Sequence, residues 1–109
     1  SLSADPRHAV APIAFSGSLS EARRNLLNVI RAMPRAHIVR DEETYLHVEF
    51  TSGVFRFVDD VEFIIDEEAK RIDARSASRV GYWDMGANRK RIEEIRRMMA
   101  QGVSSETNP

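Results

Sequence analysis

The chain has 109 residues, 42% apolar and 30% charged, with a formal net charge of −1. That is the size of one globular domain with a core of its own. It contains no cysteine, which excludes disulfides, thiolate metal sites and cysteine nucleophiles within these residues. No apolar run approaches the ~20 residues that span a bilayer, and no charged-then-apolar signal segment opens the chain. It begins at Ser1 rather than at a methionine, which reads as a processed or trimmed product.

In chain order, Ser1 to Arg7 is polar and loose. His8 to Phe15 alternates in part and predicts a first strand, with Pro12 suited to a sheet edge. Ser16-Gly17-Ser18 is a turn, and Ser18 followed by Glu21 forms a capping box that opens a helix. Leu19, Ala22, Leu26, Val29, Ile30 and Met33 then recur at helical spacing. Arg23, Arg24, Asn28 and Arg31 take the opposite face, and Pro34 ends the helix. Ala36 to Arg40 is a short strand, and Asp41-Glu42-Glu43 is an acidic turn. Tyr45 to Thr51 is a strand with Leu46, Val48 and Phe50 on one side. Val54 to Ile65 is another, with Phe55, Phe57, Val61, Phe63 and Ile65 at period two. Asp66 to Ala69 turns the chain into a last strand, Arg71 to Val80. Gly81 breaks it. A loop carries Tyr82, Trp83 and Asp84, and that aromatic pair either caps the core or anchors a partner. A second helix begins near Gly86 to Asn88, with Asn88 as N-cap and Ile92, Ile95 and Met99 as its buried stripe. Gly102 stops it.

The expected fold is therefore α+β, in the order β-α-β-β-β-β-α. One five-stranded antiparallel sheet carries both helices on one face, because short turns join antiparallel neighbours and one covered face buries the apolar rows. The domain is expected over residues 1–103, with 104–109 as a disordered tail.

The net charge hides an asymmetry. Residues 41–68 hold ten acids and one base, Arg56, whereas residues 75–97 hold seven bases and three acids. Neighbouring segments of opposite sign are expected to meet in the fold, so nucleic acid is not an expected partner. No cofactor is expected, since there is no glycine-rich phosphate loop. No metal is expected either: His8, His37 and His47 lie on three separate segments without paired metal spacing.

The apolar pattern also selects the pairing of the last hairpin. With Ile65 opposite Ile72, Phe63 meets Ala74, Val61 meets Ser76 and Asp59 meets Ser78 on the core face. Glu62 meets Arg75 and Val58 meets Arg79 on the other. A one-residue slip would put Arg71, Asp73 and Arg75 among the phenylalanines. Asp59 then interrupts an apolar row. One reading is structural: its carboxylate is held by Ser76, Ser78 or a backbone N–H, as a carboxylate near a core requires. The other is functional: Asp59 and Asp60, with Arg75 and Arg79, line a polar pocket. Arg89, Lys90 and Arg91 in the first turn of the last helix oppose its dipole. They call for Asp84, Asp59 or Asp60 as internal partners, or for a bound anion.

The stretches RSASRVGYWDMGANRKRIEEIR at 75–96, FRFVDDVEF at 55–63 and YLHVEF at 45–50 resemble domain-of-unknown-function family 1499, found in bacteria and chloroplasts. The likeness extends over the helix after Ser18 and the Met33-Pro34-Arg35 turn. It departs at Trp83, where a small polar residue is usual, and at Met85 and Ala87. The resemblance implies no particular activity. It implies a signature at Asp59, Asp60, Arg75, Ser76, Ser78, Arg79, Tyr82, Asp84, Asn88 and Arg89. Members usually carry an upstream cysteine-containing segment and often a lipoprotein or membrane anchor, which implies cell-envelope placement of the full-length protein.

Two functions are weighed. One is a non-catalytic binding or accessory domain that recognises a small anion, a lipid headgroup or a protein through a polar end of the sheet. The other is a small hydrolase or isomerase with Asp59 or Asp60 as general base and Arg75 and Arg79 as anion clamp.

Overall fold

The computed structural model describes residues 11–51, 58–78 and 85–101, without the side chains of residues 77, 78 and 85–88. Its elements are β1 (Ile13–Ala14), α1 (Leu19–Arg31), β2 (Ala36–Glu42), β3 (Tyr45–Thr51), β4 (Val58–Asp66), β5 (Arg71–Ser78) and α2 (Met85–Ala100). The strands form one antiparallel sheet in the order β1-β5-β4-β3-β2. The α+β class and the element order agree with the sequence reading.

The core follows from period two on the strands and helical spacing above them. Leu46, Val48 and Phe50 of β3, Val61, Phe63 and Ile65 of β4, and Ile72 and Ala74 of β5 form one buried layer. Leu26, Val29 and Ile30 of α1 and Ile92, Ile95 and Met99 of α2 cover that same layer. Both helices therefore lie on one side of the sheet, and α1 also packs on α2. The expected inward rows hold for Val61 and Phe63, while Phe55 and Phe57 lie outside the described residues.

The β4–β5 register is the expected one, with Ile65 opposite Ile72, Phe63 opposite Ala74, Val61 opposite Ser76 and Asp59 opposite Ser78. Its turn is held by Asp66 Oδ1, which accepts from the Ala69 N–H at 3.1 Å. The same turn docks against the start of α1. Phe15 N–H donates to the Lys70 carbonyl at 3.0 Å, the Lys70 ammonium donates to the Gly17 carbonyl, and Glu67 Oε2 accepts from the Leu19 N–H at 3.4 Å.

The capping box at the start of α1 is complete. Glu21 N–H donates to Ser18 Oγ, and Ser18 N–H donates to Glu21 Oε1, both at 3.1 Å. Gly17 is needed just before it. Its φ is +90°, and a Cβ there would run into Glu21 Oε1.

Three boundaries differ from expectation. β2 runs to Glu42, so Asp41 and Glu42 are strand residues and the turn is Glu43–Thr44. Strand geometry is favoured there because Asp41 pairs with Arg23, Arg40 pairs with Glu42, and the Arg23 Nε donates to the Glu42 carbonyl at 3.3 Å. An irregularity between Ile38 and Arg40 leaves Val39 43% exposed and breaks the outer edge, which discourages pairing with another chain. α2 starts at Met85, so Asn88 is its fourth residue rather than its cap, and Arg89 to Arg91 stand beyond the first turn, where the dipole acts most strongly. β1 is shorter than expected, and Ala11 and Pro12 precede it without strand structure. Arg96 ties this approach to α2, donating to the carbonyls of Pro12 at 2.7 Å and Ala11 at 2.8 Å.

Candidate functional site

Consecutive strand residues point to opposite faces, so Asp59 and Asp60 cannot serve one pocket. Asp59 points under the helices. It stands opposite Phe50 on β3 and Ser78 on β5 and is 0% exposed. One partner comes from α2: Arg91 Nη1 lies 3.2 Å from Asp59 Oδ2. The Arg91 side chain is 15% exposed, and its guanidinium sits 4.7 Å from the centroid of the Phe50 ring. The aromatic face receives the cation while the carboxylate binds it.

The local reason is simple. Arg91 neighbours Ile92 and stands one helical turn before Ile95, so it shares the stripe that α2 turns to the sheet. A cation on a buried stripe and an acid in a buried row are each costly alone and compatible together. Ser76 belongs to the same side. It is buried, opposite Val61 and diagonal to Asp59.

Asp60 lies on the other face, which no described helix covers. There β3 contributes Tyr45, His47 and Glu49, β4 contributes Asp60 and Glu62, and β5 contributes Asp73 and Arg75, all half-buried. His47 Nε2 and Asp60 Oδ1 are 2.9 Å apart. The Tyr45 hydroxyl donates to Glu62 Oε2 at 2.8 Å. Burial, and then the Glu62 carboxylate, raise the Tyr45 hydroxyl above its ordinary value. The Arg40 guanidinium lies 5.5 Å from the Tyr45 ring centroid and pairs with Glu42.

The ten sequence-predicted residues are thus divided. Asp59 and Ser76 share the core side, and the Ser78 backbone pairs with Asp59 while its side chain lies outside the description. Asp60 and Arg75 share the open side, with Arg75 opposite Glu62. Arg89 is exposed on α2, and Asn88 is described by its backbone alone. Arg79, Tyr82 and Asp84 lie outside the described residues. The arginine that reaches Asp59 among the described residues is Arg91, not Arg75, which sits on the opposite face of the sheet. The signal for Arg91 was its place on the Ile92–Ile95 stripe, whereas its two cationic neighbours hid it.

Opposite charges of the two segments do meet, as the segment charges implied: Glu62 stands opposite Arg75, and Asp59 is bonded to Arg91. Among the described residues no group of three or more His, Asp or Glu is placed to hold a metal ion. Among them, too, no helix is long and apolar enough to cross a membrane.

The family described as "Protein of unknown function (DUF1499)" matches residues 1–99, nearly the whole chain, and the chain belongs to that family. No curated protein and no solved structure matches it.

Proposed function

We propose that this DUF1499 chain is a non-catalytic binding domain whose recognition surface is the open, polar face of the sheet. The observation that carries this reading is the burial of Asp59 against Arg91. A general base must come within hydrogen-bond reach of a substrate proton. Asp59 is fully enclosed and engaged by a guanidinium, so it acts as a structural anion. The open face offers what a binding surface needs: a rigid sheet carrying half-exposed donors and acceptors whose positions are set by cross-strand bonds. Its side chains include the acids Glu42, Glu49, Asp60, Glu62, Asp66 and Asp73 against Arg40, Arg71 and Arg75, and that acidic balance favours a basic protein segment as partner.

The His47–Asp60 pair supports a second reading. A carboxylate that orients an imidazole is a recurrent general-base arrangement, and this one is reachable, with side chains 24% and 21% exposed. The hydrolase or isomerase alternative, if correct, would run through this pair rather than through Asp59.

One experiment separates the two. The protein is screened by thermal shift against lysine-rich and arginine-rich peptides, and by turnover assays against ester, phosphoester and amide substrates. A basic peptide at 100 times its dissociation constant should stabilise the fold by about 2.7 kcal/mol, and Asp60→Asn with Glu62→Gln should weaken it. Turnover that disappears in both His47→Ala and Asp60→Asn would overturn the binding reading.

A further inference from the structure

We infer a second, independent binding site in the groove between the outer face of α1 and the β2–β3 turn, suited to a small amphiphilic anion: a phosphate or carboxylate head with a short alkyl arm. The groove has a volume of about 520 Å³ and is lined by Leu19, Ser20, Arg23, Arg24, Leu27, Asn28, Arg31 and Glu43. Ligand pockets commonly enclose about 300–1,000 Å³.

Two rows of α1 build it. Leu19, Arg23 and Leu27 follow one another at i+4 and make the inner row, with Leu27 buried and Leu19 half-buried. Ser20, Arg24, Asn28 and Arg31 make the outer row. Arg23 closes the wall by pairing with Asp41 and donating to the Glu42 carbonyl. It is therefore already committed within the protein.

The outer row is not. Among the described residues no hydrogen bond or ion pair joins Ser20, Arg24, Asn28 or Arg31 to another side chain. Arg24 and Arg31 are two turns apart, about 10 Å along the helix, with Asn28 between them. With Arg23 paired to Asp41, the lining still sets the guanidinium groups of Arg24 and Arg31 against one carboxylate, Glu43, so an anion is favoured over a cation. Guanidinium forks bind phosphate and carboxylate bidentately, and the two leucines give an alkyl arm an apolar floor. Neither feature is used by the surface proposed above, which lies on the far side of the sheet.

The test is an amide NMR titration of the full chain with octyl phosphate, inorganic phosphate, octyl glucoside and phosphatidylglycerol vesicles. Octyl phosphate should move the amides of Ser20 to Arg31 and Glu43. It should bind at least about tenfold more tightly than inorganic phosphate or octyl glucoside, since each of those lacks one half of the match. The double charge reversal Arg24→Glu with Arg31→Glu should weaken octyl phosphate more than about tenfold, the single Arg24→Gln serving if the reversal disturbs folding. Vesicle binding lost in the same variants assigns the anion to a lipid headgroup. Octyl phosphate binding without vesicle binding assigns it to a free amphiphile. Equal affinity for octyl phosphate and inorganic phosphate, shifts that map elsewhere, or affinity that survives the substitutions would overturn the site. None of these outcomes depends on peptide binding or turnover at the open sheet face.

Discussion

Removing the guanidinium of Arg91 should be among the most destabilising single changes in the described structure. The Asp59 carboxylate has no solvent exposure, and the Arg91 side chain is 15% exposed. Arg91→Ala leaves a buried carboxylate without this counter-ion, a class of change that costs ~3–5 kcal/mol. The residual exposure of Arg91 places the expectation near the lower end, ~3 kcal/mol. Loss of the contact with the Phe50 ring at 4.7 Å adds ~1 kcal/mol. Domains of this size are stable by only about 5–15 kcal/mol, and each kcal/mol moves the melting point by roughly 4–8 °C. The variant should therefore melt more than about 10 °C below the parent. Urea denaturation followed by far-UV circular dichroism gives the free energy, with an unchanged slope showing that the unfolded state is not what moved. Asp59→Ala should also destabilise. The double variant should lose less than the sum of the two, by about 0.5–3 kcal/mol, because both truncations remove the same Asp59–Arg91 interaction. Arg91→Lys should recover only part of the loss, since an ammonium lacks the planar fork and the stacking face. A loss below ~1 kcal/mol for Arg91→Ala, or strict additivity in the cycle, would refute the reasoning.

Other changes probe the supporting structure. Gly17→Ala should destabilise by about 1–2 kcal/mol, since it sets a side chain at positive φ against Glu21, and Ser18→Ala should cost about 1 kcal/mol through loss of the cap; melting curves check both. Ile95→Ala, in the centre of the α2 stripe with no exposure, should cost about 2–5 kcal/mol in the same urea assay. An ultraviolet absorbance titration should find a tyrosine ionising above the ordinary value of about 10, and Glu62→Gln should reverse only part of the rise because burial is its larger cause. The folded value is raised, so the stability from the neutral Tyr45 hydroxyl is present below about pH 10 and is lost as pH climbs through the folded value.

The register of the last hairpin was legible because Val61, Phe63 and Ile65 leave only one way to keep Arg71, Asp73 and Arg75 out of the core. The capping box at Ser18 was legible because its two bonds are local in sequence. The length of β2 was not. Asp41 and Glu42 look like turn residues, and they stay in the strand through partners that include Arg23, distant in the chain on α1. The start of α2 was misplaced because Asn88 has the chemistry of a cap, a local preference that the longer helix overrides. At the site, period two already separated Asp59 from Asp60, yet grouping them by charge joined two side chains that the sheet keeps apart. The identity of Asp59's partner needed three dimensions. Arg89, Lys90 and Arg91 are alike as charges, and only the rotation of α2 over the sheet turns Arg91 inward while Arg89 and Lys90 stay exposed.

Carboxyl-selective covalent labelling of the native protein, read by peptide fragmentation that resolves Asp59 from Asp60, tests most directly whether the conspicuous acid of this chain is structural. Asp59 should remain unlabelled until the protein is unfolded, while Asp60, Glu67 and Glu68 react in the native state. Labelling of native Asp59 at a rate comparable to that of Asp60 would contradict the account and return Asp59 to the list of candidate catalytic bases.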